Sequence, residues 1–224
     1  MRYQAVVPGR FLARPNRFVA QVEAEGGVQA VHVKNTGRCR ELLVPGAAVY
    51  LEKSANLKRK TAYDLVAVRK GDLLVNMDAQ APNRVFAEWL EPRLPEGAVL
   101  RREYGYGESR LDFCVESPRG RFLIEVKGVT LEDGGAARFP DAPTERGVRH
   151  LRELRRAAEE GFGAALFFVV QMENMRSVAP NDETHPAFGA ALREAAAAGV
   201  RVCAYDCAVT PESLSIRREV PVLL

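Results

Sequence analysis

The stretch "SRLDFCVESPRGRFLIEVKGVTL", Ser109 to Leu131, decides how the second half of this chain is read. It has the pattern of two apolar strands, about 110–116 and 121–127, joined by a turn at "SPRG". Yet Asp112 interrupts the first strand, and Glu125 and Lys127 interrupt the second. Successive strand side chains point to opposite faces, so Glu125 and Lys127 share one face while Phe122, Ile124 and Val126 occupy the other. An antiparallel hairpin centred near 118–119 sets Asp112 opposite position 125. Two carboxylates that close repel each other and call for a positive charge between them. Lys127 is one candidate. A divalent cation is a stronger one, and Mg²⁺ (or Mn²⁺) suits one or two carboxylates completed by waters and phosphate oxygens. Such an ion polarises a phosphoryl oxygen and acidifies bound water, and a lysine stabilises charge developing on the phosphate. The pattern therefore points to phosphodiester hydrolysis, with Asp112 and Glu125 as metal ligands and Lys127 as the catalytic lysine. The same spacing also fits charges that protect an edge strand from aggregation.

Outward from this hairpin the chain divides in two. Up to about residue 80 it reads as all-β. "RFVAQVEAEGG", "VQAVHVKNTG", "PGAAVYLEKS", "TAYDLVAVRKGD" and "LLVNMD" are short strands, with tight turns at Gly26-Gly27 and at Arg69–Asp72. Five short strands in so few residues predict a small barrel of the OB type. From residue 81 to 224 the pattern is mixed α/β. Asn83 is expected to cap a helix, "RVFAEWLEP", that ends before Pro92. "VLRREYGYG" carries a weaker strand pattern, interrupted by charges and glycines, and the two strands of the hairpin follow. "LEDGGAARFPDAPTERG" reads as a loop. A helix follows from about 144 to 160, its apolar face drawn from Val148, Leu151, Leu154 and Ala158. "GAALFFVVQM" is a buried strand, "HPAFGAALREAAAAG" a helix ended by Gly199, and "VRVCAYDCAV" a further strand.

Composition narrows the function classes. The 224 residues are 47% hydrophobic and 27% charged, with a formal net charge of +3, which permits an anionic partner without requiring one. Four cysteines form no C-x-x-C pair, so reduced thiols in a cytoplasmic protein are expected. No apolar run approaches the ~20 residues of a membrane-spanning helix. "YGYGESR" lacks the third glycine of a dinucleotide fingerprint, and there is no P-loop and no nucleophile elbow.

The order helix, strands, helix, strand after residue 83 resembles the αβββαβ core of the PD-(D/E)xK, restriction-endonuclease-like superfamily. A longer resemblance runs through "FLARPNRFVAQV", "KNTGRCRELLVPGAAV", "NLKRKTAYDL", "SRLDF", "IEVKGVTL" and "FPDAPTERGVRHLREL". These blocks resemble the sugar fermentation stimulation protein A (SfsA) family. The resemblance implies an N-terminal OB-fold barrel, a C-terminal PD-(D/E)xK-like domain, and DNA binding. It assigns the metal acids to Asp112 and Glu125 and the lysine to Lys127. A further glutamate from the first helix is matched by Glu88, with Glu103 as its rival. Thr144 and Arg146 are implied as active-site or DNA contacts, and His150 can face the same site, although a lone helical histidine is more often structural.

Basic residues supply candidates for a nucleic-acid partner, most simply DNA. Lys58, Arg59 and Lys60 sit in a loop of the barrel. Arg14, Asn16 and Arg17 flank Phe18; cations beside an aromatic suit stacking on a base, although Phe18 itself is expected in the barrel core. Arg149, with Arg152 and Arg156, forms a stripe on the long helix, diluted by glutamates. Two functions stay open at this point: a Mg²⁺-dependent nuclease, and a non-catalytic DNA-binding regulator linked to sugar metabolism. Cutting both strands of a duplex usually takes two sites, so a homodimer is also an open expectation.

Overall fold

A computed structural model describes residues 1–35, 37–56 and 58–224. The first six strands are β1 (Val6–Asn16), β2 (Val19–Ala24), β3 (Gly27–Val33), β4 (Ala48–Lys53), β5 (Tyr63–Lys70) and β6 (Leu73–Asn76). They pair in the order β3-β2-β1-β4-β5-β6, and β5 returns to pair with β3. That return closes β1 to β5 into a five-stranded, OB-like barrel, as expected. The fifth barrel strand differs from the expectation. It is β1, whose Pro8, Gly9 and Pro15 break the strand signal and whose pairing with β2 shifts register twice. β6 instead extends the edge beyond β5. The β2–β3 turn falls at Glu25 and Gly26, both at positive φ, with Gly27 already in the strand.

The second half opens with helix α1 (Ala81–Leu90) and strands β7 (Val99–Tyr106), β8 (Ser109–Ser117) and β9 (Gly120–Val129). A hairpin of β10 (Leu131–Asp133) and β11 (Ala136–Phe139) precedes helix α2 (Glu145–Glu159) and strand β12 (Gly163–Val170). Then come β13 (Ser177–Pro180), helix α3 (Pro186–Ala197), β14 (Arg201–Thr210) and β15 (Ser213–Glu219). The main sheet runs β15-β14-β12-β9-β8-β7. β9, β12 and β14 are mutually parallel at its centre, where "GAALFFVV" is buried almost throughout. The sequence α1-β7-β8-β9-α2-β12 is the expected αβββαβ order, and "VLRREYGYG" is indeed a strand.

Several local expectations are corrected. The segment expected as a loop contains β10 and β11, which form a small sheet with β13. Asn83 does not cap α1. The helix starts at Ala81 with Pro82 in its first turn, and Gln80 is the cap position without a side-chain bond. In α2 Ala157 joins the buried face, and Ala158 packs against the same core only partly buried. Phe18 is not barrel core, being 49% exposed. None of the described helices is long and apolar enough to cross a membrane.

The main sheet has a core on each face. Phe86 of α1 packs with Phe113, Ile124, Val126 and Phe167 on one face. Val148, Leu151 and Leu154 of α2 pack with Leu111, Leu123, Leu166 and Phe168 on the other, and this second core continues into the barrel.

Candidate active site

The β8–β9 hairpin pairs Ser117 with Gly120 and keeps register as far as Phe113 with Ile124. One more step sets Asp112 opposite Glu125. There the backbone ladder stops and side chains replace it. Asp112 Oδ2 accepts the Val126 N–H at 2.8 Å, and Glu125 Oε2 accepts the Asp112 N–H at 3.3 Å. The cause is a reversal of the pleat. Leu111 and Phe113 are two apart and should share a face, yet Leu111 lies in the α2-side core and Phe113 in the α1-side core. β7 reverses at the matching point, since Leu100 packs on the α1 side and Tyr104 on the α2 side. Between them Glu103 adopts a φ of 55°, the left-handed region that a glutamate rarely occupies.

Around this break the two carboxylates have different surroundings. Asn83, in the first turn of α1, donates from Nδ2 to Asp112 Oδ1 at 2.7 Å. Glu125 is 2% exposed, and its Oε1 meets both the Lys127 ammonium and His150 Nδ1. Arg146 Nε donates to His150 Nε2 at 3.2 Å. Because Nε2 accepts, the ring proton sits on Nδ1 and is donated to Glu125. Burial, reinforced by the Glu125 charge, pushes the Asp112 pKa up to about 6, against the Val126 N–H, Lys127 and Asn83. Burial opposes ionisation of Glu125 too, but the His150 hydrogen bond and the Lys127 ammonium outweigh it and hold its pKa below the usual range. The pair is thus one firm anion beside one carboxyl that ionises reluctantly.

Two neighbouring carboxylates are a donor set that fits a hard divalent ion, whose charge would oppose the Asp112 shift. Among the described residues no group of three or more His, Cys, Asp or Glu is arranged to hold a metal. Asp112 and Glu125 would therefore supply only part of a coordination shell. Glu88 and Glu103 do not complete it. Glu88 pairs with the Met1 ammonium at 2.6 Å and with Arg84 at 3.2 Å. Glu103 lies opposite Asp112 by register, but its exposed carboxylate faces Arg110 at 3.6 Å. Thr144 is the α2 N-cap, its Oγ1 accepting the Gly147 N–H at 3.1 Å, so it sets the start of the helix that carries Arg146 and His150.

Asn83 is the residue that sequence reasoning assigned to another task. The signal was present: Pro82 belongs in a helix first turn, which pushes Asn83 past the cap position. Gly128 explains its approach. A Cβ there would lie 2.6 Å from Pro82 Cγ and 2.5 Å from Gln171 Oε1, so only glycine lets the start of α1 come this close to β9.

The basic candidates separate by what they already hold. The Arg14 guanidinium donates to the backbone carbonyls of Arg17, Asn35, Gly37 and Arg38. Asn16 Oδ1 caps the β1–β2 turn by accepting from Phe18 N and Val19 N. Arg59 forms a two-point bridge to Asp64, at 2.6 and 2.9 Å. These three work within the fold, whereas Arg17, Lys58, Lys60 and Arg149 are exposed. Arg156 pairs with Glu153 and Glu160, which dilutes the α2 stripe as expected.

Residues 12–77 match the SfsA N-terminal OB domain, and residues 80–213 match the Sugar fermentation stimulation protein RE domain. A Sugar fermentation stimulation protein homolog of Desulfitobacterium hafniense (strain Y51) is 51% identical over 215 residues, covering 96% of this chain and 94% of the relative. One from Clostridium beijerinckii is 48% identical over 226 residues, covering both chains fully. Among solved structures, that of Pyrococcus furiosus SfsA in complex with Ca²⁺ superposes with a TM-score of 0.90 at 31% identity, over 100% of this chain and 98% of that one. Matched in both halves and along its whole length, the chain belongs to the sugar fermentation stimulation protein (SfsA) family.

Proposed function

We propose that this protein is a divalent-metal-dependent phosphodiesterase acting on nucleic acid, most simply DNA, at Asp112, Glu125 and Lys127. The observation that carries this is the paired carboxylates. They meet at a break in the β-ladder, where burial, reinforced by the Glu125 charge, raises Asp112 to a pKa of about 6, and two carboxylates this close favour a cation. Mg²⁺ or Mn²⁺ bound there would supply Lewis-acid activation of a phosphodiester and of the attacking water. Substrate oxygens and water would complete its shell, as is usual for Mg²⁺. The Ca²⁺ of the P. furiosus relative's complex is likewise a hard, oxygen-seeking ion, which supports this choice.

The remaining groups have roles the geometry supports. Asn83 and the Val126 N–H hold the Asp112 carboxylate in place. His150, itself held by Arg146, fixes Glu125 as the anion. Lys127 sits on Glu125 at the same edge, where its ammonium can stabilise charge building on a phosphate.

The second function, a DNA-binding regulator without catalysis, is favoured by one observation: every oxygen of Asp112 and Glu125 already has a partner within the protein. Cleavage of single-stranded, duplex and branched DNA and of RNA separates the two. The comparison is wild type, Asp112→Ala and Lys127→Ala with Mg²⁺, Mn²⁺ or EDTA. The expected result is metal-dependent cutting that falls about 10²-fold or more in each variant. Intact, metal-independent binding with no cutting by any form would establish the regulator instead.

A further inference from the structure

A cavity of about 610 Å³ lies beside the barrel, its lining including Arg17, Arg38, Arg40, Leu43, Ala142 and Pro143. Its arginines stand apart from most others in the molecule. Arg10, Arg59, Arg101, Arg102 and Arg110 each meet a carboxylate. No carboxylate among the described residues pairs with Arg17, Arg38 or Arg40. Three unneutralised guanidinium groups around one cavity repel one another and favour an anion.

The cavity is also built rather than incidental. Arg14 spends its donors on four backbone carbonyls, two of them at Gly37 and Arg38, and so fixes the loop that presents Arg38. Gly37 lets that loop close on Asp141, whose carboxylate would collide with any Cβ at position 37. Asp141 directly precedes the Ala142–Pro143 wall. Thr144, Arg146 and His150 follow within a few residues, so the cavity adjoins the segment that leads to the candidate active site.

An aromatic ring completes the arrangement. The Arg17 guanidinium lies over the Phe18 ring, 5.3 Å from its centroid, and half of that ring remains in solvent. The exposed half of Phe18 buries nothing in the fold, and a cation and a ring side by side match a phosphate and its base. A base inside a duplex is stacked on its neighbours and cannot reach such a ring. We propose that Phe18 and this cavity hold an unpaired nucleotide, its base stacked on Phe18 and its phosphate among Arg17, Arg38 and Arg40, so that the substrate carries a single-stranded segment. This rests on the nucleic-acid reading above but not on catalysis.

The test is fluorescence anisotropy of the full chain in EDTA, with single-stranded DNA, single-stranded RNA and a blunt DNA duplex as probes, across a salt series. Phe18→Ala is expected to weaken single-strand binding roughly 5- to 100-fold while leaving the salt slope unchanged. The Arg38→Ala/Arg40→Ala double variant should weaken it and lower the slope by about 1.4, two phosphate contacts at ~0.7 each. All three positions are exposed, and unchanged melting temperatures would confirm that folding is intact. Equal single-strand affinity in Phe18→Ala and wild type overturns the proposal, as does a duplex bound more tightly than either single strand. Because no metal is present, these outcomes are independent of cleavage. Loss of binding in Phe18→Ala without cutting by any form would sink the nuclease and keep the nucleotide site. Normal binding by Phe18→Ala with metal-dependent cutting by wild type would do the reverse.

Discussion

At Asp112, burial and the neighbouring Glu125 charge both oppose ionisation, and this has a measurable consequence in the metal-free protein. Its pKa is about 6 when folded, against an ordinary value of 3.8. The unfolded chain therefore gives up this proton first as pH rises. The contribution of Asp112 to stability is therefore full below pH ~4, declines between ~4 and ~6, and levels above that, losing on the order of 3 kcal/mol. Glu125 acts in the opposite sense at the acid end, where protonating it removes the stability it gains from His150 and Lys127. Urea titrations in EDTA at a series of pH values should reveal the decline, and Asp112→Asn should abolish it. A wild-type stability that rises from pH 5 to pH 7 would contradict the assignment. The same scale explains why a basic residue is not by itself a nucleic-acid contact. Arg59 and Lys58 are sequence neighbours, but Asp64 engages the first and the second is exposed.

At the scale of elements, the candidate site is a meeting of α1, the β8–β9 hairpin and the start of α2, and two glycines control the approach. Gly147 in the first turn of α2 costs about 1 kcal/mol in helix propensity, so alanine there would ordinarily stabilise. The structure reverses that expectation. A Cβ at Gly147 would lie 2.9 Å from Thr144 Cγ2 and 3.0 Å from Thr144 Oγ1, displacing the cap. Gly147→Ala should therefore forfeit its propensity gain and melt no higher than wild type, whereas Thr144→Ala should lower stability by about 1 kcal/mol, measured by thermal melts. Gly128→Ala is the sharper case, because its Cβ would press on Pro82 and Gln171. It should cost about 1–3 kcal/mol as an overpacked contact and move Asn83 away from Asp112. Cleavage should fall more than melting temperature alone accounts for.

At the scale of the molecule, the barrel and the mixed α/β half share one apolar core and a buried polar joint. Gln171, 1% exposed, donates from Nε2 to the carbonyl and side-chain oxygens of Asn76 and to the Asp78 carbonyl. Its own carbonyl accepts the Asn76 N–H. The Met1 ammonium adds a second tie, reaching Glu88 of α1 and the Leu214 carbonyl of β15. Both halves should accordingly unfold in a single calorimetric transition. Gln171→Ala strands buried carbonyls and should cost about 2–3 kcal/mol, several degrees of melting temperature at this size. Two resolved transitions in the wild type would show that the joint is weaker than its geometry indicates.

The sequence by itself determined the barrel, the αβββαβ order and the pairing of Asp112 with Glu125 and Lys127. These follow from alternation and from hairpin register, which act over a few residues and leave a pattern in the chain. Its misses came where local signals were broken or ambiguous: β1 behind two prolines, the β10–β11 hairpin inside a Gly- and Pro-rich segment, and Asn83 beside its proline. The tertiary structure alone decided which side chains join the carboxylates. His150 reaches Glu125 across 25 residues and Asn83 reaches Asp112 across 29, while Glu88 is drawn to Met1, 87 residues away by number. It also decided that Arg14 and Arg59 are occupied, that Phe18 stands in solvent, and that Arg38 and Arg40 share a cavity with residues a hundred positions later. The physical reason is that a side chain's free charge and exposure are what remain after its neighbours have taken their hydrogen bonds, and those neighbours are set by the closure of the fold.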